Sequence, residues 1–252
     1  MADLKNNYQI IGNGEKTIVF AHYFGGDSGS WKWLADHLKE KFTCVLIDLP
    51  GFNETKPLVN KNILAFAKYI NSCINELDLT NYTLCGHSMS GKLVLYAAQL
   101  MKTNKPEQLI LIAPSPPTTE NMPKSEKKRM LKHPDRDEAV KTVQNAVVKK
   151  LSNERFEYAV SSQLRIENAS WDWWINDGMN ENIAESIKEL DITVHVIYSK
   201  DDPVIKTDAI YEEVLPYLKH PKVTELSSVG HLIPMETPRI LADQISIIMH
   251  VK

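Results

Sequence analysis

An α/β architecture, a mostly parallel sheet with helices on both faces, is what this sequence predicts, and three observations predict it. Short apolar runs of strand length alternate with longer segments that carry apolar residues at helical spacing. The alternation breaks only once, over residues 116–190. The 252 residues are enough for one large domain with an insertion and for a core that needs no covalent staples.

In chain order, "TIVFAH" (17–22), "TCVLID" (43–48), "YTLCG" (82–86), "QLILIA" (108–113) and "TVHVIYS" (193–199) read as buried strands. "KVTELS" (222–227) reads as a weaker, outer one. Between them "WKWLADHLKEK", "NILAFAKYINSCINEL", "MSGKLVLYAAQLM", "DAIYEEVLPYLK" and "PRILADQISIIMHV" show the helical period. Asn13-Gly14, ahead of the first strong strand, carries hairpin-turn chemistry and predicts an antiparallel strand before the sheet. The break, Pro116 to Leu190, reads as three or four Lys- and Glu-rich helices with no strand among them. A structureless loop of that length is rare in a compact domain. The expected organisation is therefore a core of residues 1–115 and 191–252 with a helical cap subdomain at 116–190.

Composition narrows the function. Hydrophobic residues at 43% and charged ones at 24% are ordinary for a packed globular domain. Lys+Arg 29 against Asp+Glu 32 gives a net charge of −3, with no long basic run to meet a phosphate backbone, so nucleic acid is not an expected partner. The first residues contain no apolar signal region, and no stretch is long and apolar enough to span a membrane. Cys44, Cys73 and Cys85 cannot all pair and form no C-x-x-C cluster, so buried, reduced thiols and a cytoplasmic setting are expected.

The chemistry centres on "YTLCGHSMSGKLVLYAAQ" (82–99). From Gly86 to Lys92 it reads G-x-x-x-x-G-K, most of a phosphate-binding loop; from Gly86 to Ser90 it reads G-x-S-x-S, one residue short of a nucleophile elbow. The first reading fails on chemistry, because the position that must offer a hydroxyl to Mg²⁺ is Leu93. It fails on order too, since "VLIDLPG" (45–51) precedes the loop instead of following it. The elbow predicts an acid and then a histidine farther along. Asp201 and Asp202 in "VIYSKDDPVI" follow a buried strand, and His231 in "SSVGHLIPMETP" follows the next one. Both loops then reach the carboxyl edge of the sheet, where Ser88 also sits and where open α/β sheets bind ligands.

With those residues in place the chain resembles the α/β-hydrolase family over nearly its whole length. The matching stretches are "HYFGG" (22–26), "SGSW" (28–31), "DLPGFNET" (48–55), "GHSMSG" (86–91), the aspartate of "DDP" and "GHLIPMETP" (230–238). The insertion falls where this family carries its cap. Three positions depart from the pattern: Tyr23, Asn53 and Ser90 each stand where the family has glycine. Tyr23 matters most, because a side chain there constrains the loop that supplies an oxyanion donor.

The resemblance and the motif together make Ser88 the nucleophile, His231 its general base and Asp202 the group that orients the imidazole. Set against these are plainer roles: a helix-capping serine, a surface-loop histidine, and a turn-capping Asp202 with Asp201 as the acid instead. The N–H groups of Phe24 and Met89 are the expected oxyanion donors. By resemblance His22 and His87 are scaffold, and Lys92 is solvated or capping. No metal-ligand spacing is present, and no cofactor is expected. Tyr23 and the cap residues Trp171, Trp173 and Trp174 are candidate pocket residues; the three tryptophans cannot all face one way on a helix, so at least one belongs to the core. The expected activity is hydrolysis of a carboxylic ester of a small, fairly apolar compound by a monomer or homodimer. Carbon–carbon bond hydrolysis, thioester hydrolysis, lyase chemistry and a non-catalytic receptor remain open on the same fold.

Overall fold

The computed structural model describes residues 7–250. Seven strands form one sheet: β1 (Tyr8–Ile11), β2 (Lys16–Ala21), β3 (Phe42–Ile47), β4 (Tyr82–His87), β5 (Gln108–Ile112), β6 (Thr193–Ser199) and β7 (His220–Leu226). Their spatial order is β1-β3-β2-β4-β5-β6-β7. All neighbours are parallel except β1, which runs antiparallel to β3.

The expected antiparallel strand before the sheet is present, but Asn13-Gly14 is not a hairpin turn. β1 and β2 both pair with β3, on opposite sides of it. A turn residue reports a local reversal, whereas the choice of pairing partner is made by the sheet. Gly14 is needed for another reason: a Cβ there would lie 2.1 Å from the Lys41 carbonyl oxygen.

Successive residues of each strand bury to opposite faces. Ile18, Phe20, Cys44 and Leu46 pack beneath α1 (Lys32–Leu38) and α11 (Pro238–Ile248). Val19, Ala21, Val45 and Ile47 pack beneath α2 (Ile63–Glu76) and α3 (Met89–Leu100). Because both faces are covered there, the central strands β2 to β6 are buried on both sides and mostly apolar instead of alternating, while the edge strands β1 and β7 are largely exposed. Cys44, Cys73 and Cys85 are free and buried in these two layers, and burial pushes the Cys44 and Cys73 thiols up to about 12.

Between β5 and β6 the chain forms α4 (Lys124–Met130), α5 (Arg136–Ala146), α6 (Asn153–Leu164), α7 (Asn168–Asn176) and the single turn α8 (Ala184–Ile187), with no strand among them. The β6–β7 connection is less regular than its apolar spacing predicts. It divides into the short α9 (Thr207–Ala209), a π turn at Ile210–Val214 and a 3₁₀ turn at Leu215–Tyr217. Pro216 has no N–H to give to the preceding turn, so the α-helical ladder cannot run through it. α10 (Ile233–Glu236) completes the helices. Among the described residues no helix is long and apolar enough to cross a membrane.

Candidate active site

Ser88 occupies the turn between β4 and α3 with φ 53° and ψ −120°, a conformation that non-glycine residues adopt only when their surroundings hold them there. Three backbone hydrogen bonds do so. The Ser88 N–H donates to Ile112 O (2.9 Å), and its carbonyl accepts from Gly91 N (2.8 Å) and Ser115 N (3.0 Å). Two glycines make the close approach possible: a Cβ on Gly86 would stand 2.3 Å from Ser90 O, and one on Gly91 would stand 2.5 Å from Pro114 Cβ. Ser90, which replaces a family glycine, is wholly buried and donates its hydroxyl to the His22 carbonyl. Asn53, another such replacement, adopts φ 46°, which asparagine tolerates, and donates to Asp48 Oδ2 (3.1 Å).

From that turn a continuous chain of hydrogen bonds runs outward. Ser88 Oγ lies 2.8 Å from His231 Nε2, and His231 Nδ1 lies 2.8 Å from Asp202 Oδ2. Asp202 is fixed from its other side, where Oδ1 accepts from Val204 N (2.7 Å) and Ile205 N (3.0 Å). The structure therefore brings Asp202, and not Asp201, to His231. The Asp201 carboxylate instead accepts from Ser228 N (2.6 Å). Burial by itself would push the His231 imidazole down, but the Asp202 carboxylate, by charge and by hydrogen bond, and then Glu120 and Glu236 outweigh it and hold its pKa above the ordinary value.

The two scaffold histidines are bonded at the backbone. His22 donates through Nδ1 to Tyr23 O (2.9 Å) and accepts at Nε2 from Leu49 N (3.1 Å). His87 donates through Nε2 to His231 O (2.9 Å). Burial lowers the pKa of both below the ordinary histidine value. Tyr23 turns its ring onto His87, with centroids 5.2 Å apart. The missing Cβ of Gly26, which would sit 2.4 Å from that ring, leaves room for it. The Tyr23 carbonyl accepts from Gly26 N (3.1 Å), so the loop closes tightly around the tyrosine. Phe24 follows, and among the described residues its N–H meets no acceptor; Met89, as the first residue of α3, has an N–H outside the helical ladder.

Above Ser88 and His231 lies a pocket of about 400 Å³. Tyr23, Phe24 and Trp174 supply its aromatic lining, together with residues of the 120–146 segment, Gln163 and His231. The three tryptophans separate as their spacing requires. Trp174 lines the pocket. Trp171 packs behind Phe24 (4.3 Å) and donates to Met130 O (2.8 Å). Trp173 stacks on Phe66 of α2 (4.5 Å, 17°) in the core.

Three residues at the site escaped the sequence reading or were placed differently by it. Lys92 is fully buried, not solvated, and its ammonium donates to the carbonyls of Thr118 (2.8 Å), Glu181 (3.0 Å) and Met179 (3.2 Å). Glu236 Oε2 accepts from Lys149 N (2.7 Å), Gly230 N (2.8 Å) and Val148 N (3.0 Å), tying the His231 loop to the insertion. Glu120 lines the pocket beside Ser88. Glu236 lies within "GHLIPMETP", so its nearness to His231 was legible; no spacing marks Glu120. Among the described residues, no group of three His, Cys, Asp or Glu side chains is arranged to hold a metal ion.

The family model described as the alpha/beta hydrolase fold matches residues 16–238. The chain belongs to the α/β-hydrolase fold family. Among curated proteins, this α/β-hydrolase is 35% identical over 108 residues to the pimeloyl-[acyl-carrier protein] methyl ester esterase of Pseudoalteromonas atlantica, over 43% of this chain and 40% of that protein. It is 31% identical over 116 residues to the karrikin insensitive 2 receptor B of Petunia hybrida, over 44% of this chain and 42% of that one. Each match thus spans less than half the length of the relative. Among solved structures, an esterase from Exiguobacterium antarcticum superposes with a TM-score of 0.86 at 15% identity, over 96% of this chain and 94% of that one. At that identity the likeness speaks for the fold.

Proposed function

We propose that this α/β-hydrolase cleaves a carboxylic ester of a small, fairly apolar compound through an acyl-enzyme on Ser88. The observation that carries the reading is the unbroken hydrogen-bonded line Asp202–His231–Ser88, both links 2.8 Å, ending at a pocket.

His231 Nε2 takes the Ser88 hydroxyl proton as Oγ attacks the ester carbonyl. Asp202 keeps the proton on Nδ1 and stabilises the imidazolium that forms. The negative charge on the carbonyl oxygen is met by the N–H groups of Phe24 and Met89. Collapse of the tetrahedral species breaks the ester C–O bond, and His231 returns the proton to the leaving alcohol. A water then gives its proton to His231 and attacks the acyl group, releasing the carboxylic acid and restoring the Ser88 hydroxyl. Residues 116–190 act as a cap that closes the acyl pocket and excludes bulk water.

Stoichiometric labelling of Ser88 by a fluorophosphonate, together with turnover of p-nitrophenyl esters that disappears in Ser88→Ala, tests the reading. An unlabelled Ser88 would favour a non-catalytic receptor on the same fold. Labelling without turnover of any oxygen ester would point to thioesters or to carbon–carbon bonds.

A further inference from the structure

Glu120 enters the pocket from the segment between β5 and α4, and its position is closely fixed. Its N–H donates to Met179 O (2.9 Å). Its Oε2 accepts from the Ser115 hydroxyl, while the Ser115 N–H donates to the Ser88 carbonyl (3.0 Å). The carboxyl is thus two hydrogen bonds away from the backbone of Ser88. Its other oxygen, Oε1, has no hydrogen-bond partner among the described residues, and the group makes no ion pair within 4.0 Å among them. Burial pushes the Glu120 carboxyl above the ordinary carboxylate value, against the opposing pull of the Ser115 hydrogen bond and of the Lys92 and His231 charges; the Lys92 donors themselves serve the three carbonyls of Thr118, Met179 and Glu181. The other acid on the pocket wall, Glu126, is already neutralised by Arg129.

A second acceptor belongs to another residue that lines the pocket. Gln163, 2% exposed, donates Nε2 to Ala159 O (3.2 Å), and its buried Oε1 has no partner among the described residues. A buried acceptor left without a donor costs about 1–3 kcal/mol, so a shift of the Gln163 amide that lets a bound N–H group reach it would recover that cost. Among the described residues no lysine or arginine lines the pocket. The aromatic faces of Tyr23, Phe24 and Trp174 add favourable surfaces for a positive charge beside the Glu120 carboxyl.

We infer that the pocket selects esters carrying a protonated amine, with the ammonium received by Glu120 and Gln163 against the aromatic lining. Turnover of such esters rests on the Ser88 reading above; binding does not. The test separates the two by using Ser88→Ala protein and three methyl esters that differ only at the end of the acyl chain: methyl 6-aminohexanoate, methyl heptanoate and monomethyl pimelate. In calorimetric titration near pH 7 the ammonium ester is expected to bind about tenfold more tightly than the neutral one, and the carboxylate ester most weakly. Adding Glu120→Gln should bring the ammonium and neutral esters to within about twofold of each other. Equal dissociation constants, a tighter carboxylate ester, no detectable binding of the ammonium ester, or an order that survives Glu120→Gln would each overturn the assignment. The order within the Glu120 protein needs no change at that residue, so it decides the matter even if Glu120→Gln unfolds. If the order holds while the Ser88 protein hydrolyses none of the three esters, the ester-hydrolase reading fails and the ammonium site stands.

Discussion

At Ser88 the molecule holds a hydroxyl in a backbone conformation that the side chain itself disfavours, and the surrounding hydrogen bonds to Ile112, Gly91 and Ser115 hold it there. Removing the hydroxyl leaves those bonds intact. Ser88→Ala is therefore expected to keep the thermal midpoint and to lose roughly 10⁴- to 10⁶-fold in kcat on p-nitrophenyl esters. Asp202→Asn should cost about 10⁴-fold near neutral pH by upsetting the His231 tautomer. Asp201→Asn should be mild, because that carboxylate bonds Ser228 N and not the imidazole; the reverse ranking in steady-state assays would move the role. In the proposed mechanism His231 must be neutral to accept the Ser88 proton, and its pKa is held above the ordinary 6.5. The acid limb of kcat/KM is accordingly expected above pH 6.5 and should move to lower pH in Asp202→Asn. The linkage to stability runs the other way. A histidine raised in the folded state adds stability below about pH 6.5, and that increment fades as pH rises through its folded pKa. The positions of Ser88 and His231 were legible because a glycine-flanked serine and a histidine after the last strand are local patterns. Glu120 was not, since only the folded insertion brings it to the pocket.

The elements differ in how plainly the sequence spells them. β6 is the run "TVHVIYS" to the residue, a β-branched and aromatic stretch buried on both faces of the sheet that ends before the charged Lys200-Asp201-Asp202 turn. β1 was foreseen as a strand, but its partner was misread, since nothing in four residues names the strand beside which they lie. The β6–β7 connection kept its helical spacing and lost its helical ladder at Pro216. α7 carries a comparable division of labour within one helix: Trp173 turns to Phe66 and Trp174 to the pocket. Trp173→Ala is expected to destabilise the fold by about 3–5 kcal/mol in urea denaturation. Trp174→Ala should instead change the ratio of kcat/KM between short and long acyl esters while Ser88 is still labelled by a small fluorophosphonate. An unchanged acyl preference in Trp174→Ala would remove it from the binding wall.

Across the whole molecule, the sheet and the insertion are joined at a few points of high consequence. Lys92, one turn into α3, spends its ammonium on carbonyls of Thr118, Met179 and Glu181 at the two ends of the insertion. Burial lowers its pKa to about 8. Lys92→Met would leave three carbonyls short of a donor and is expected to cost about 2–4 kcal/mol. Its pH signature has a definite sign. Between about pH 8 and the ordinary 10.5, the unfolded chain holds a proton that the folded one has released, so wild-type stability gains with rising pH across that window. The Lys92→Met protein should lack that gain when the two are compared in urea at pH 7.5 and 9.5.

Glu236 ties the His231 loop to the α5–α6 connection, His231 N donates to Ala146 O (2.7 Å), and a Cβ on Gly230 would collide with that same carbonyl at 2.5 Å. Anyone transplanting residues 116–190 from a relative to change the substrate range would therefore also be transplanting the seat of the imidazole. The workable graft keeps 146–149 from this chain and exchanges only what lies on either side, and a chimera cut at the outer boundaries would arrive with its new pocket intact and its proton acceptor adrift.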